Sequence, residues 1–425
     1  MQISFLSLLI RWRSCAAACG VALVGHAATA QDIDYSGVTA PIGDYLAANP
    51  GLPGAALLIV GPDGVLHERY WGDYRHDTQV PIASATKWLS GIAVMSLVDD
   101  GLIDLDAPVS QYLPDEFPPG HAASGITVRQ MFSHTSGLPG QSIYLNPAWP
   151  SLERSVELIA TNVGPIAVPG VEFNYGGVSM HIAGRIAEVV TGQEWDTLFA
   201  ERVATPLGLT DTDYEGLGTT DNPRIAGGAR STIEDYQRVL AMLRNGGTYD
   251  GRAVLSPEAV QTILADQTAG AVFADGPPSI DEYLGYGIGN WIEVVHETTD
   301  ESLEFSSPGG FGTTPWINPG LGVYGVFMID DELRSVDDLI DDVRELTRDA
   351  LQLSRLDGDF DADGVVGQTD LNLVLLNWGS GVLPEGWIAP TPLNDGTIGQ
   401  DELNAVLLNW GKTAQFETGA RTSAP

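Results

Sequence analysis

Lysine is nearly missing from this chain: two residues in 425, Lys87 and Lys412, beside eighteen arginines. Arginine stays protonated at any accessible pH, whereas a lysine can be tuned to a neutral amine. Lys87 nevertheless stands three positions after Ser84, which sets a titratable amine one helical turn from a hydroxyl. Basic charge as a whole is scarce, 20 Lys and Arg against 56 Asp and Glu, for a formal net charge of −36. Such a surface repels nucleic acid and other polyanions and suits a salty medium. Cysteine is confined to Cys15 and Cys19. No stretch is apolar for long enough to cross a bilayer, so no membrane span is expected.

What the N-terminus does contain is the pattern of an export signal. Arg11 and Arg13 form a positive start, Ser14 to Val24 is a short apolar run, and Ala28-Thr29-Ala30 supplies a small-residue cleavage site. Residues 1–30 are therefore expected to be removed, which implies a secreted or periplasmic protein. Both cysteines leave with them, so the mature chain is expected to have no disulfide and no thiol chemistry. About 395 residues remain, enough for one large domain and a small one.

Residues 31–354 have the texture of a single α/β domain. Ala55 to Val60 and Val65 to Trp71 flank Gly61-Pro62-Asp63-Gly64 and predict a hairpin. After Pro81-Ile82-Ala83, the spacing of Trp88, Leu89, Ile92, Met95 and Val98 predicts a helix closed by Gly101, with Ser84 at its N-terminal end. Helical patterns recur at Ser179–Val190 and Ile233–Leu243, strand patterns at Tyr286–Val294 and Leu321–Ile329, and an acidic helix at Ser335–Leu353. Strands at both ends with helices between them predict a sheet built from the two termini and an inserted helical lobe.

Several motifs run in order along this domain: Gly51-Leu-Pro-Gly54, Ala83-Ser84-Ala-Thr-Lys87, His134-Thr-Ser-Gly-Leu-Pro139, Phe173-Asn-Tyr175, Ala183-Gly184, Pro206-Leu-Gly-Leu209, Ala226-Gly-Gly228, Asn245-Gly-Gly247 and Gly309-Gly-Phe-Gly312. In them the chain resembles the serine β-lactamase-like hydrolases: class C β-lactamases, D-alanyl-D-alanine peptidases and related carboxylesterases. The resemblance covers roughly residues 40 to 352. It implies an antiparallel sheet flanked by helices plus a helical lobe. It also implies Ser84 as the acylated nucleophile, Lys87 as the group that takes its proton, and Tyr175 as the proton relay. The Ser84 and Gly310 N–H groups would form the oxyanion hole. His134 belongs to a loop motif of the family and is expected to be structural. The scattered histidines predict no zinc site.

Two departures bear on substrate. Where the family continues Tyr-x-Asn, this chain reads Tyr175-Gly176-Gly177; where it offers Lys, His or Trp before x-Gly, this chain has Ser307-Pro308-Gly309. The first removes an amide that grips an acylamino side chain, and the second removes a carboxylate anchor. Each lost contact costs roughly 1–3 kcal/mol, unless an arginine elsewhere compensates. A small ester or amide is thus expected as substrate ahead of a β-lactam or a D-Ala-D-Ala terminus.

A different texture begins after residue 354. The seventeen residues Asp363–Gly379 recur 32 positions later as Asp395–Gly411 with twelve identities, which marks a duplicated module at 355–411 before a tail at 412–425. Asp359, Asp361, Asp363, the Val365 carbonyl and Asp370 stand at positions 1, 3, 5, 7 and 12 of a calcium loop, with Gly364 at 6. The second copy keeps Asp395 and Glu402, but Thr391 and Leu393 occupy its positions 1 and 3. It binds weakly, uses Asn394 in an altered loop, or does not bind. The repeats resemble a dockerin-type module, a duplicated EF-hand-like α unit, which implies structural calcium and a cohesin-type partner. Trp378 and Trp410 are expected in its core.

Three functions remain open at this point: a small-ester hydrolase, a β-lactamase or D-alanyl-D-alanine peptidase, and a non-catalytic binding protein of the same fold. Covalent labelling of Ser84 by a fluorophosphonate separates the third from the first two.

Overall fold

The structure is a computed structural model that describes residues 33, 35–62, 64–268, 270–276, 285–295, 302–319, 321–353, 358, 360, 366–381, 384, 387 and 397–411. The expected export signal, the boundary at 354–355, the tail at 412–425 and Asp359, Asp361, Asp363, Val365 and Asp395 lie outside these residues.

The strands that matter for the site are β1 (Gly54–Gly61), β2 (Gly64–Gly72), β3 (Glu172–Asn174), β4 (Val272–Asp275), β5 (Gly285–Tyr286), β6 (Trp291–Val295), β7 (Ser302–Ser306), β8 (Thr314–Asn318) and β9 (Val323–Ile329). Seven of them form one antiparallel sheet in the order β2-β1-β9-β8-β7-β6-β5. The expected hairpin is β1–β2, with Gly61 opposite Gly64. β1 pairs with β9 across the length of the chain, as the sheet-from-two-termini expectation requires.

β1 is buried along its whole length because both faces of the sheet are covered. Ala55, Leu57 and Ile59 point into one core with Val38, Ile42, Val336, Ile340 and Val343. Ala56, Leu58 and Val60 point into the larger core, which continues into the helical lobe. The run expected as one strand from 286 to 294 is two strands instead. Gly287 and Gly289 let the chain turn back between Tyr286 and Trp291, which are cross-strand partners.

The helices used below are α1 (Ser36–Ala48), α2 (Thr86–Asp99), α3 (Val128–Phe132), α4 (Leu152–Asn162), α5 (Val178–Thr191), α6 (Ile233–Arg244), α7 (Pro257–Leu264), α8 (Leu333–Leu353), α9 (Gln368–Leu376) and α10 (Gln400–Asn409). α1 and α8 cover one face of the sheet, while α2 and α6 begin the layer on the other. Every residue from Thr86 to Leu97 of α2 is buried, so this helix is the axis of the lobe. Side-chain caps start its neighbours: Thr127 and Gln130 form a reciprocal capping box on α3, and Ser151, Thr232 and Ser256 cap α4, α6 and α7.

The duplicated segment has its own small core of Phe360, Val366, Val374, Trp387, Ile398, Ala405 and Val406. The two copies clasp each other reciprocally. Gly379 N–H reaches the Ile398 carbonyl at 2.7 Å, and Gly411 N–H reaches the Val366 carbonyl at 2.8 Å. The expectation for the repeat tryptophans is overturned. Trp378 and Trp410 are 50% and 48% exposed, while Trp387, outside the duplication, stacks on Phe360 in the core. Each repeat tryptophan follows the C-terminus of its helix, beyond the face that the clasp buries.

Candidate active site

Ser84 lies in a single 3-10 turn, Ala83–Ala85, that joins Ile82 to α2. The residue before it is backbone-strained: Ala83 has φ of 42°, a left-handed conformation that costs roughly 1–3 kcal/mol outside glycine. The surroundings hold that geometry. Ile82 N–H donates to Ala229 O at 3.0 Å, Ala229 N–H to Thr86 Oγ1 at 3.0 Å, and the Tyr236 hydroxyl to Ala85 O at 2.7 Å. The Ser84 side chain is consequently presented, half-exposed, at the start of α2.

Lys87 lies one turn further along α2 and is only 3% exposed. Its Nζ is 3.0 Å from Ser84 Oγ and 2.8 Å from the Ala226 carbonyl. Neither group is an anion, so burial acts on the amine without an ion-pair to oppose it and lowers its pKa to about 7. A neutral amine in this place gives one hydrogen to Ala226 O and turns its lone pair toward the Ser84 hydroxyl.

Tyr175 is delivered by the parallel pair β3–β4, which the sequence pattern does not announce. Its N–H donates to Asp275 O at 2.9 Å. The ring lies against Trp291 with centroids 5.1 Å apart, and Lys87 Nζ stands over its face at 4.4 Å from the centroid. Burial pushes its phenol up to about 12, outweighing the nearby Ser84 and Trp291 side chains, which act the other way. Lys87 thus meets both the Ser84 hydroxyl and the ring face of Tyr175.

Gly310 borders the same turn from the other side. A Cβ at Gly310 would lie 3.8 Å from the Ala83 Cβ. Among the described residues neither the Ser84 nor the Gly310 N–H has a hydrogen-bond partner. Ser307 ties this segment to the turn, donating to Gly289 O at 3.0 Å and approaching Ser84 O at 3.3 Å. The four residues expected in the site are therefore brought together. Of the calcium-loop residues, Asp370 and Glu402 are described. Asp370 is fully buried and accepts from Phe360 N–H and Gly367 N–H at 2.6 and 2.8 Å, and Glu402, 1% exposed, accepts from Gly399 N–H at 2.6 Å.

The geometry fits one family model. A model described as Beta-lactamase matches residues 42–348. The chain belongs to the beta-lactamase family, whose members are serine hydrolases. A crystal structure of a candidate beta-lactamase from Bacteroides dorei DSM 17855 superposes with a TM-score of 0.67 at 36% identity, over 74% of this chain and 98% of that one. EstCE1, a hydrolase with promiscuous acyltransferase activity, shares the fold at 19% identity, with a TM-score of 0.61 over 76% of this chain and 98% of its own. Penicillin-binding protein 4 of Amycolatopsis lactamdurans is 35% identical over 39% of this chain, and the match spans 46% of that protein's length. The D-alanyl-D-alanine-carboxypeptidase/endopeptidase AmpH of Escherichia coli K12 is 26% identical over 48% of this chain and 56% of its own.

Within this beta-lactamase-family site, the two departures seen in the sequence have structural causes. A Cβ on Gly177 would lie 3.2 Å from Leu145 Cδ1 and 3.4 Å from the Ala226 Cβ, so a side chain added there would press on apolar neighbours. At Gly176 the backbone passes so close to Gly140 that a Cβ would lie 1.9 Å from its carbonyl oxygen. The Ser307 hydroxyl is 3% exposed and committed to main-chain carbonyls. Sequence reasoning missed Trp291, the Ala226 carbonyl and Tyr236, because an indole, a main-chain oxygen and a core tyrosine carry no motif of their own.

Proposed function

We propose that this protein is an exported serine hydrolase that forms an acyl-enzyme on Ser84 and cleaves small acyl esters or amides. One observation carries the reading: a buried, neutralisable Lys87 amine 3.0 Å from Ser84 Oγ and 4.4 Å from the centre of the Tyr175 ring. Neutral Lys87 takes the Ser84 proton as Oγ attacks the acyl carbon, and the oxyanion forms toward the free Ser84 and Gly310 N–H groups. Tyr175, still protonated at neutral pH, gives its proton to the leaving oxygen or nitrogen and is restored from Lys87. Water then enters by the reverse of these transfers and releases the acid. The apolar neighbours of Gly177, Leu145 and Ala226, support esters over acylamino substrates.

Hydrolysis of p-nitrophenyl butyrate beside nitrocefin tests the reading. Ester turnover that Ser84→Ala abolishes, with little nitrocefin turnover, is the expected result. No ester turnover and no fluorophosphonate labelling of Ser84 would sink it. A D-alanyl-D-alanine peptidase is the second reading, favoured by Arg224. Among the described residues its buried Nε and Nη1 have no hydrogen-bond partner, and it stands two residues from the Ala226 carbonyl that holds Lys87. Such a guanidinium suits a terminal carboxylate. Peptide cleavage lost in Arg224→Gln would establish it.

The C-terminal repeats are proposed to hold structural calcium and to dock a cohesin-type partner. The buried Asp370 carboxylate suits a hard cation, with Asp359, Asp361, Asp363 and the Val365 carbonyl of the sequence pattern as further oxygen donors. Glu402 stands at the equivalent sequence position of the second copy, which also keeps Asp395 in its loop sequence. When bound, calcium would crosslink the loop. The exposed Trp378 and Trp410 offer apolar contact area to a partner.

A further inference from the structure

One buried titratable side chain beside the site takes no part in the scheme above. His134 follows α3, is 1% exposed and holds a left-handed φ of 57°. Among the described residues neither of its ring nitrogens has a hydrogen-bond partner. The main chain leaves it little freedom. Its carbonyl accepts from Asn174 N–H at 2.9 Å, and Thr135 N–H donates to Gln130 O at 3.0 Å. Because Asn174 precedes Tyr175, that first bond ties the two segments together. The imidazole then packs on the Tyr175 ring with centroids 4.7 Å apart, on Tyr286 at 4.9 Å and on Phe173 at 5.5 Å.

A phenyl ring would fill an aromatic pocket without burying two unpaired nitrogens, so packing alone does not account for a histidine here. We infer that His134 is a positioning residue: its uncharged imidazole wedges Tyr175 against Lys87 and so holds the phenol toward Ser84. The inference rests on the reading of Ser84, Lys87 and Tyr175 as the reacting groups. The titratable groups facing His134 are Lys87 from α2, Tyr175 from the segment after β3 and Tyr286 from β5. Among the described residues none is a carboxylate. Burial and the Lys87 charge both hold the imidazole neutral. An imidazolium there would sit in an aromatic pocket beside a second cation.

The test is ester hydrolysis by the full chain from about pH 5 to about pH 9 for the parent, His134→Ala and His134→Phe, with ¹⁵N NMR of the parent's histidines. His134→Ala is expected to lose about tenfold or more in kcat with KM within about twofold, and added imidazole restores kcat by filling the vacated space. His134→Phe keeps the wedge, so kcat largely returns, with the acid limb left where Lys87, at about 7, sets it. In the parent, the His134 signals stay those of a neutral imidazole wherever the enzyme is active. A His134→Ala variant with the parent's kcat, and only reduced thermal stability, would make His134 merely structural and overturn the inference. An imidazolium signal at neutral pH would overturn it even if neither variant folds. A parent that turns over no ester would instead defeat the reading of Ser84, and the NMR titration would still report on His134.

Discussion

Among the described residues Lys87 is buried without an anionic partner, which puts its chemistry in conflict with folding. Its amine has a pKa of about 7 in the folded chain against 10.5 as reference. Between those values the unfolded chain binds a proton that the native state does not, so stability rises with pH across the window. Below it the fold carries the whole desolvation penalty. Lys87→Met is therefore expected to be inactive yet more stable than the parent, by a few kcal/mol at about pH 6 if each pKa unit is worth about 1.4 kcal/mol. Thermal melts at about pH 6 and pH 9 measure the difference, which shrinks at the higher value; no gain at either pH would refute the account. Gly177 makes a second prediction at this scale. Gly177→Asn alone presses on Leu145, lowers stability and brings no nitrocefin turnover. Combined with Leu145→Ala it gains room for the amide, and nitrocefin turnover should rise at least severalfold. An active single variant would mean that Leu145 does not close the space.

Helix α8 is held to the sheet by more than its apolar stripe. Arg344 is 3% exposed and pairs with Glu293 of β6 and, at 2.6 Å, with Glu304 of β7. Arg348 and Asn318 also reach Glu304, at 2.7 and 3.0 Å. Burial works against Glu304, but Arg344, Arg348 and Asn318 together hold its carboxyl below the usual range. Glu293 has the smaller share: burial and the Glu304 charge push it up to about 7 despite Arg344. Between 4.5 and that value the native state binds the extra proton, so this residue's contribution to stability falls as pH rises through the window. Glu293→Gln should remove that loss and raise the melting temperature more at about pH 8 than at about pH 5. Arg344→Met leaves the carboxylates buried without their main cation and should cost roughly 3–5 kcal/mol in urea unfolding at neutral pH. A cost below about 1 kcal/mol would show that water reaches the cluster.

Across the whole molecule, a net charge of −36 means that the chain repels itself, and any cation bound specifically by the native state contributes stability by mass action. Millimolar calcium is accordingly expected to raise the melting temperature of the full chain, and Asp361→Ala should lose most of that rise. Magnesium at equal ionic strength controls for screening. An equal response to both ions, unchanged in Asp361→Ala, would reduce the effect to screening.

Much of this was legible in the residues. Alternation and apolar runs marked the β1–β2 hairpin, α2, α5, α6 and α8, because each buries a regular face against a core. The pairing of Ser84 with Lys87 followed from helical spacing alone, and the duplication by identity is matched by two equivalent helices, α9 and α10. Local pattern does not carry what depends on residues distant in sequence. The parallel pair β3–β4 that presents Tyr175, the break between β5 and β6, and the ring contacts of Trp291 and His134 arise from segments that meet only on folding. The lowered amine of Lys87 is a property of burial, which no neighbour in sequence supplies. The repeat tryptophans were misplaced for the same reason: the clasp between copies, and not the motif, decides which face is inside. The sequence by itself determined which atoms would be available to react, and the tertiary structure alone decided their distances, their solvent and therefore their charge.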